Sequence, residues 1–358
     1  MKTNRLLLAA LLALCLPFFA RAETVTGRFQ YSDFNPANGT SRLEPIRFCR
    51  VEVWGFRPRA LGFWTWGKDA DISTDVNGRI SVPFVFQTAG VIYGVRITAE
   101  NYAAVVWPNV LAPRAQFYNE PGEPDGVKFQ RVANTPGDVL DFSYNFVDAW
   151  TPQHWSMAEA IRHGFDFVTP RRDPLETDII PKAGVQPGYW PTFYNSVTVT
   201  LSINSLDVFE DYTMLHEYGH FLQHHIGAFA PVPSIHDGCS MTDLVGNHIE
   251  GPELAWMEGF ADFFAMAAAT SLPPGTLQGH PGDAGTSSIS ELENTPWSFC
   301  TGLPANVTPA MIENVVAGIL WDVADGIGAC DTTEAHDNLS GFTTTIIQIM
   351  DREMDLPY

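Results

Sequence analysis

The residues best suited to chemistry lie at His216-Glu217-Tyr218-Gly219-His220, a His-Glu-x-x-His pattern inside an apolar run. On a helix, residues four apart advance about 400°, so the two histidines share nearly one face, a turn apart. Two imidazoles so placed can hold one Zn²⁺, and Glu217 beside them can take a proton from a metal-bound water. The pattern predicts a zinc site, and the alternative is two histidines on an ordinary helix.

A catalytic zinc site of this kind needs a third protein ligand. His224 continues the same helix face, but it lies about 6 Å further along, too far for one ion with bonds of about 2 Å. A better candidate lies in the apolar run 252–266, which predicts a buried helix with Pro252 in its first turn. Glu258 and Asp262 form the acidic pair in the body of this run, four residues apart and on one face.

Two carboxylates buried on one helix face are costly unless something cationic meets them. A zinc site answers this requirement if Glu258 is the third ligand and Asp262 accepts the other ring N–H of a ligand histidine. The alternative is that the pair flanks a solvent-facing stripe or bonds to an arginine.

His216-Glu217-x-x-His220 followed by Glu258-x-x-x-Asp262 resembles the gluzincin metallopeptidases, the thermolysin-like group. The resemblance covers about residues 195–325. It implies an α+β zincin domain with His216, His220 and Glu258 as zinc ligands, Glu217 as general base and Asp262 as the residue that orients a ligand histidine. The catalytic unit would then hydrolyse peptide bonds by means of a zinc-bound water that Glu217 activates.

The interval between the two halves of the motif differs from that of thermolysin itself. It spans 38 positions, from His220 to Glu258, and is longer than the thermolysin spacing. Trp256-x-x-Glu258-Gly-x-Ala-Asp262 is similar instead to secreted bacterial gluzincins of poorly defined specificity. A donor to the transition state is also expected, and the sequence leaves His248, His280 and His336 as candidates.

The region 23–112 is typical of β structure, with short alternating runs separated by turn residues. We expect strands at 24–31, 48–54, 92–97, 103–107 and 139–146. Asn77-Gly78 predicts a hairpin turn. Asp69, Asp71, Asp75 and Asn77 could suggest a calcium loop, but the glycine is in the wrong place for an EF-hand, which favours the turn. Val25-Thr26-Gly27, Val51-Glu52-Val53 and Thr74-Asp75-x-Asn77-Gly78 resemble prealbumin-like or carboxypeptidase-regulatory-like domains, which implies an accessory β-sandwich.

The second half of the chain changes to helical patterns. Ser156 is expected to cap a first helix, and Asp211 is expected to cap the helix that carries the histidines. The alternating run 196–203 predicts a strand just before that helix, which could bind substrate backbone as an added strand. Two further helices are expected at 308–325 and 341–354. The predicted fold is therefore multidomain: a signal peptide (1–22), an all-β sandwich (23–148) and an α+β zincin domain (149–358).

Residues 1–22 read as a cleaved signal peptide. Lys2 and Arg5 precede an uncharged apolar run, and Ala20-Arg21-Ala22 forms an A-x-A cleavage site. The run is too short for a membrane span, so export to the periplasm or outside the cell is expected. Removing it leaves four cysteines, at positions 49, 239, 300 and 330. We expect one disulfide among the last three, and the sequence leaves its connectivity open.

The net charge of the chain makes some classes of binding partner unfavourable. The chain has 41 acidic residues against 20 basic residues, a net charge of −21, which argues against nucleic acid or an anionic membrane as a partner. The sequence predicts a secreted zinc metallopeptidase with a polypeptide substrate. Two alternatives stay open: an exported binding or adhesion protein with a structural zinc site, and a zinc hydrolase of a non-peptide bond.

Overall fold

The computed structural model describes most of the region between residues 22 and 353. The described residues are 22–58, 63–85, 89–107, 116–117, 130–149, 151–176, 179–189, 191–227, 234–237, 240–243, 251–279, 313–325 and 341–353. The signal segment 1–21 and the cysteines at 239, 300 and 330 lie outside them, so the leader and the disulfide stay predictions. Cys49 is buried.

The chain divides into two compact units. The first comprises Met1–Gln30, Pro45–Thr98 and Gln116–Asn145, and the second comprises Tyr31–Glu44, Ala99–Ala115 and Phe146–Tyr358. Several β-sheets together with helices agree with the expected multidomain α and β composition. The sandwich arrangement, the zincin arrangement and the boundaries after residues 22 and 148 stay predictions.

Two five-stranded sheets contain the strands of the first unit, and the first of these sheets also includes residues 31–35, 40–44 and 146, which belong to the second unit. In one sheet, β1 pairs with β2, β5, β10 and β11; in the other, the order is β4-β3-β6-β8 and β9 also pairs with β6. Alternate residues of β1 are buried, among them Val25 and Phe29, because successive side chains point to opposite faces. The strands are β1 Ala22–Asn35, β2 Thr40–Pro45, β3 Arg50–Pro58, β4 Trp64–Ser73, β5 Arg79–Val85, β6 Val91–Thr98, β8 Gln116–Phe117, β9 Gln130–Ala133, β10 Val139–Asp141 and β11 Tyr144–Phe146.

The Asn77-Gly78 pair forms a turn, but the hairpin prediction is wrong. β4 pairs with β3 and β5 pairs with β1, so the turn joins strands of different sheets. Asp75 supports this turn because its Oδ1 accepts the backbone N–H groups of Asn77 and Arg79, each at 2.8 Å. Turn chemistry reverses the chain locally, whereas burial of side chains along the strands decides the pairing partner. The expected strand 139–146 is likewise divided into β10 and β11.

A four-stranded sheet in the second unit lies next to the histidine helix in sequence. Its order is β13-β14-β12-β7, with β14 parallel to β12 and antiparallel to β13. All five residues of β14 are buried. The predicted strand 196–203 begins later, at Thr200, because 196–199 form the turn from β13. The strands are β7 Ala104–Val106, β12 Ala183–Tyr189, β13 Phe193–Asn195 and β14 Thr200–Asn204, and a separate pair consists of β15 Ser234–Asp237 and β16 Ser240–Asp243.

Five helices lie within the described part of the second unit. They are α1 Pro152–Val168, α2 Asp211–Ile226, α3 Gly251–Thr270, α4 Glu313–Asp325 and α5 Thr343–Glu353, with a short 3₁₀ turn Thr169–Arg171 after α1. Neither residue predicted to cap a helix lies at the N-cap position. Ser156 lies inside α1, which begins at Pro152 because proline suits a first turn. Asp211 is the first residue of α2, after Glu210. None of the described helices is long and apolar enough to cross a membrane.

Helices α2 and α3 approach closely at a glycine. A Cβ added to Gly219 would lie 2.9 Å from the Cα of Ala261, which is backbone and cannot rotate away. Gly219 lies between the two histidines of α2, and Ala261 lies between Glu258 and Asp262 of α3. The absence of a side chain at this contact therefore sets the distance between the two halves of the motif.

We predict that Gly219→Ala destabilises the protein, although alanine is the better helix former by about 1 kcal/mol. Overpacking against Ala261 should lower the free energy of unfolding by about 1–3 kcal/mol, measured by urea denaturation. Thr344→Ala, at an exposed position of α5, serves as the control. Stability equal to or above that of the wild type would show that the helices are not in tight contact there.

A buried acid lies in the segment Tyr31–Glu44 of the second unit. Asp33 is 4% exposed and its Oδ2 lies 3.6 Å from Nη2 of Arg42. Arg42 also donates to the carbonyl oxygens of Gly275 and Thr276, the latter at 2.7 Å. Burial raises the pKa of Asp33 to about 7, with Arg42 opposing the rise and Glu44 and Glu159 adding to it.

We predict that Asp33 makes the protein less stable as pH rises. Between about pH 4 and 7 the unfolded carboxyl loses its proton while the folded one retains it, so the free energy of unfolding falls. Asp33→Asn should remove roughly 2–4 kcal/mol of this fall, measured by urea denaturation from pH 4 to 8. Asp322→Asn, at an exposed position of α4, should keep the wild-type slope. Equal slopes in the wild type and Asp33→Asn would contradict the assignment.

Candidate metal centre

Helix α2 presents both motif histidines toward one point. The Nε2 atoms of His216 and His220 lie 3.1 Å apart, and the two ring planes are nearly perpendicular, at 87°. His220 is 7% exposed and the side chain of His216 is 13% exposed. The i, i+4 spacing therefore brings two ring nitrogens together at a mostly buried position, as the helical pattern predicts.

Helix α3 adds a carboxylate to the same point. Oε2 of Glu258 lies 3.3 Å from Nε2 of His216 and 2.9 Å from Nε2 of His220. Among the described residues, these three side chains form the one cluster of histidine, cysteine and acidic groups that could hold a metal ion. The structure thus brings together all three residues that the sequence proposed as ligands.

The spacing and the chemistry of these atoms fit a zinc ion. Tetrahedral nitrogen and oxygen ligands at about 2.0–2.1 Å from Zn²⁺ lie about 3.3 Å from one another, close to the observed 2.9–3.3 Å. The outer nitrogen of each ring already faces an acceptor, so the inner nitrogens are the ones that can offer lone pairs. Three inward-facing acceptor atoms repel one another unless a cation, either a proton or a metal ion, lies among them.

Two further buried side chains hold the rings. Oδ1 of Asp262 lies 2.7 Å from Nδ1 of His216, and Oε1 of Gln223 lies 3.2 Å from Nδ1 of His220. Asp262 and Gln223 are both completely buried. Each oxygen accepts the Nδ1–H of its ring, which leaves Nε2 available to a metal. The structure therefore places Asp262 where the sequence expected an orienting acceptor.

Gln223 and Glu313 are site residues that the sequence reasoning missed. Gln223 lies three positions after His220 on the same face of α2, so helical spacing could have identified it. Glu313, in the first turn of α4, is 3% exposed and lies next to the Asp262 carboxyl. No local pattern links Glu313 to Asp262, which is 51 positions away and on another helix.

The protonation tendencies of the cluster match a cation site. Burial opposes a charge on His216, but the hydrogen bond and charge of Asp262, together with Glu258 and Glu217, raise its pKa well above the ordinary value. Burial also opposes a charge on Glu258, but His220 and His216 hold the pKa of this carboxyl well below its usual range. A metal ion therefore competes with protons for these groups, so metal binding weakens at low pH.

Glu217 has the environment of a proton acceptor. It is 7% exposed, and burial raises the pKa of its carboxyl, while His216 and His220 oppose the rise and Glu258 adds to it. The backbone N–H of Tyr194, on β13, also opposes the rise. Glu217 and Glu258 are thus two buried carboxyls of one site whose pKa values move in opposite directions, which separates a base from a ligand.

Three residues considered as donors to the transition state, His248, His280 and His336, lie outside the described residues. The predicted substrate strand is corrected. β14 is paired on both sides, by β13 and β12, so it has no free edge. The edge strand beside β14 is β13, whose Tyr194 hydroxyl lies 2.5 Å from Nδ1 of His224 on α2.

Comparison with known proteins supports a peptidase relationship for the part of the chain that holds this cluster. Residues 181–347 match the family model of the Mycolysin C-terminal domain. This range contains α2, α3 and every residue of the metal cluster. At this coarser level the expectation of a peptidase family is supported.

The other comparisons add little to this relationship. A protein of Archaeoglobus fulgidus described as uncharacterized is 30% identical over 162 residues, which cover 44% of this chain and 40% of that protein. The chain therefore spans less than half the length of that relative.

Two solved structures share only a weak likeness with this chain. They are an (S)-allantoin synthase (10% identity, 34% of this chain and 41% of that chain) and a 9R-lipoxygenase from Cyanothece PCC8801 (14% identity, 62% and 29%). Both TM-scores are 0.19, too low to carry an argument about fold or function.

We predict that Gln223→Met weakens zinc binding by about 10–100-fold, because His220 loses the acceptor that orients its ring. Isothermal titration of the metal-free protein with zinc would measure this change. Gln348→Met, a half-buried substitution of the same type on α5, should bind zinc like the wild type. Unchanged affinity in the Gln223 variant would mean that His220 needs no such partner.

Proposed function

We propose that this chain is a secreted, zinc-dependent metallopeptidase of the gluzincin type. The observation that carries the proposal is the convergence of His216, His220 and Glu258 within 3.3 Å, with the buried base Glu217 beside them. The match of residues 181–347 to a peptidase domain supports it. The substrate class is polypeptide.

His216, His220 and Glu258 would hold the zinc ion. When bound, zinc acts as a Lewis acid that makes water more acidic and polarises the carbonyl group of the bond to be cleaved. Asp262 and Gln223 keep the Nδ1 protons of the two histidines in place, so the rings cannot rotate away from the ion.

Glu217 carries the proton through the reaction. Its carboxylate accepts a proton from the attacking water, and the resulting carboxylic acid gives that proton to the nitrogen of the leaving amine. The water oxygen forms the new bond to the carbonyl carbon, and the carbon–nitrogen bond breaks. Burial raises the pKa of Glu217, which strengthens it as a base, while His216 and His220 oppose the rise.

The first unit is proposed as an accessory domain, and export by the segment 1–22 is proposed from its charge and apolar pattern. Neither contributes to the chemistry described above. A buried glutamate next to the cluster favours catalysis over a structural zinc site, because a structural site needs no base.

We predict that Glu217→Gln lowers the rate of peptide cleavage by about 10²–10⁴-fold while zinc stays bound, because the amide cannot accept the proton. Cleavage of a labelled peptide library and zinc content would be measured, with and without a chelator. Glu253→Gln, exposed in the first turn of α3, is the matched control and should retain activity. Glu258→Gln should lose zinc.

The same experiment distinguishes the alternatives. Zinc retained by a wild-type protein that cleaves no peptide in the library would favour a binding protein with a structural site. Cleavage of esters but not peptides would indicate a hydrolase of non-peptide bonds. Equal peptide cleavage by the wild type and Glu217→Gln would remove Glu217 from the mechanism.

A further inference from the structure

One face of a sheet in the first unit carries a row of aromatic rings. In the sheet β4-β3-β6-β8, Phe56 lies opposite Trp66, and Pro58 lies opposite Trp64. Trp54 points the same way as Phe56, since side chains two positions apart on a strand share a face. We call the four rings of Trp54, Phe56, Trp64 and Trp66 the aromatic face.

The aromatic face is accessible to solvent and continuous. Trp64 is 41% exposed and the other three rings are half-buried, whereas Val51 and Val53, which point to the opposite face, are fully buried. The ring of Phe56 lies 5.5 Å from that of Trp64 and 5.4 Å from that of Trp66, between centroids, with planes inclined by 37° and 34°. The rings therefore contact one another and form one surface.

A buried carboxylate fixes the ring at one end of the aromatic face. Glu52 is 6% exposed, and its Oε2 accepts the indole Nε1–H of Trp54 at 3.2 Å. Nη1 of Arg96 lies 3.1 Å from the same oxygen, and its guanidinium carbon lies 5.3 Å from the centre of the Trp54 ring. A hydrogen bond and a cation–π contact thus hold the indole, so little of its freedom remains to be lost when a ligand binds.

Further charged groups surround Glu52. Nε and Nη2 of Arg50 donate to the two oxygens of Asp71, at 2.8 Å and 2.6 Å. Nζ of Lys68 lies 2.8 Å from Asp71 and 3.4 Å from Glu52. With Arg96, this cluster has three cations and two carboxylates, so it is close to neutral in a chain of net charge −21. The side chains of Arg50, Lys68 and Asp71 are 30–39% exposed, so a ligand can reach them.

The combination of aromatic rings and balanced charges indicates the chemistry of the ligand. A purely apolar surface of a protein or a lipid would take water from these charges and offer no hydrogen bond in return. A sugar ring offers both parts, because its C–H groups suit the negative face of an aromatic ring and its hydroxyls both donate and accept. The near-neutral cluster has no excess charge that would hold an ionic ligand, and the acidic chain repels anionic polymers.

We propose that the aromatic face binds a neutral polysaccharide. The sugar rings pack on Trp64, Phe56 and Trp66, and their hydroxyls meet the charged cluster beside Trp54. Other β folds bind oligosaccharides on the face of a sheet. The site lies wholly within the first unit, so it gives this unit a ligand of its own and does not depend on the proposed peptidase activity.

The test is isothermal titration of the chain without its proposed signal peptide, residues 23–358. The probes are six-residue oligomers of β-linked glucose, N-acetylglucosamine, mannose and xylose. We expect the wild type to bind at least one of them, and Trp64→Ala and Trp66→Ala each to weaken that binding by about 10-fold, since a stacking ring is lost. Trp64→Phe should keep most of the affinity, because a phenyl ring also offers an aromatic face.

Controls distinguish the site from general effects of losing an aromatic residue. Phe342, in the second unit, is 39% exposed, nearly the same as Trp64, and Phe342→Ala should bind the oligomers like the wild type. Urea denaturation shows whether each variant is folded, and the exposure of Trp64 makes Trp64→Ala the variant least prone to unfold. Glu217→Gln should bind the oligomers like the wild type, so a failure of the proposed peptidase function would leave this result intact.

Three outcomes would overturn the proposal. The first is a wild type that binds none of the four neutral oligomers. The second is wild-type affinity in both Trp64→Ala and Trp66→Ala. The third is self-association of the wild type, measured by sedimentation, that Trp64→Ala abolishes, because the aromatic face would then be a contact between two copies of the chain.

Discussion

The mutual repulsion of three acceptor atoms governs this site. Two ring nitrogens and a carboxylate oxygen lie 2.9–3.3 Å apart in a mostly buried position, an arrangement that only a cation can stabilise. Burying these polar groups without a cation would destabilise the folded protein by more than one turn of helix stabilises it. Asp262 and Gln223 add to the constraint because they hold the rings with Nε2 inward. The folded protein therefore favours a cation at this point.

Glu217 and Glu258 show how position determines the role of one residue type. Both are 7% exposed, but Glu258 faces the two imidazoles directly and its pKa falls, whereas burial dominates at Glu217 and its pKa rises. A carboxyl that stays ionised suits a metal ligand, and one with a raised pKa suits proton transfer. The difference depends on which helix presents each side chain, because α2 carries one glutamate and α3 carries the other.

The parts of the site that could be predicted from the sequence are residues three or four positions apart on the same helix. The spacing of His216 and His220, and that of Glu258 and Asp262, requires only helical geometry, and Gln223 could have been found in the same way. Glu313 could not, because its place depends on packing between distant segments. The same reason explains the failed hairpin at Asn77-Gly78: the turn is local, but the pairing of β4 with β3 is not.

The long interval between the two halves of the motif does not disturb their geometry. His220 and Glu258 are 38 positions apart, yet their side chains lie 2.9 Å apart because α2 and α3 pack directly at Gly219 and Ala261. The entropy of closing a connection grows slowly with its length, by about 0.6 kcal/mol for each doubling. A longer connection thus costs little, whereas one methyl group at Gly219 would separate the helices. The metal centre depends on that helix contact more than on the length of the chain between its ligands.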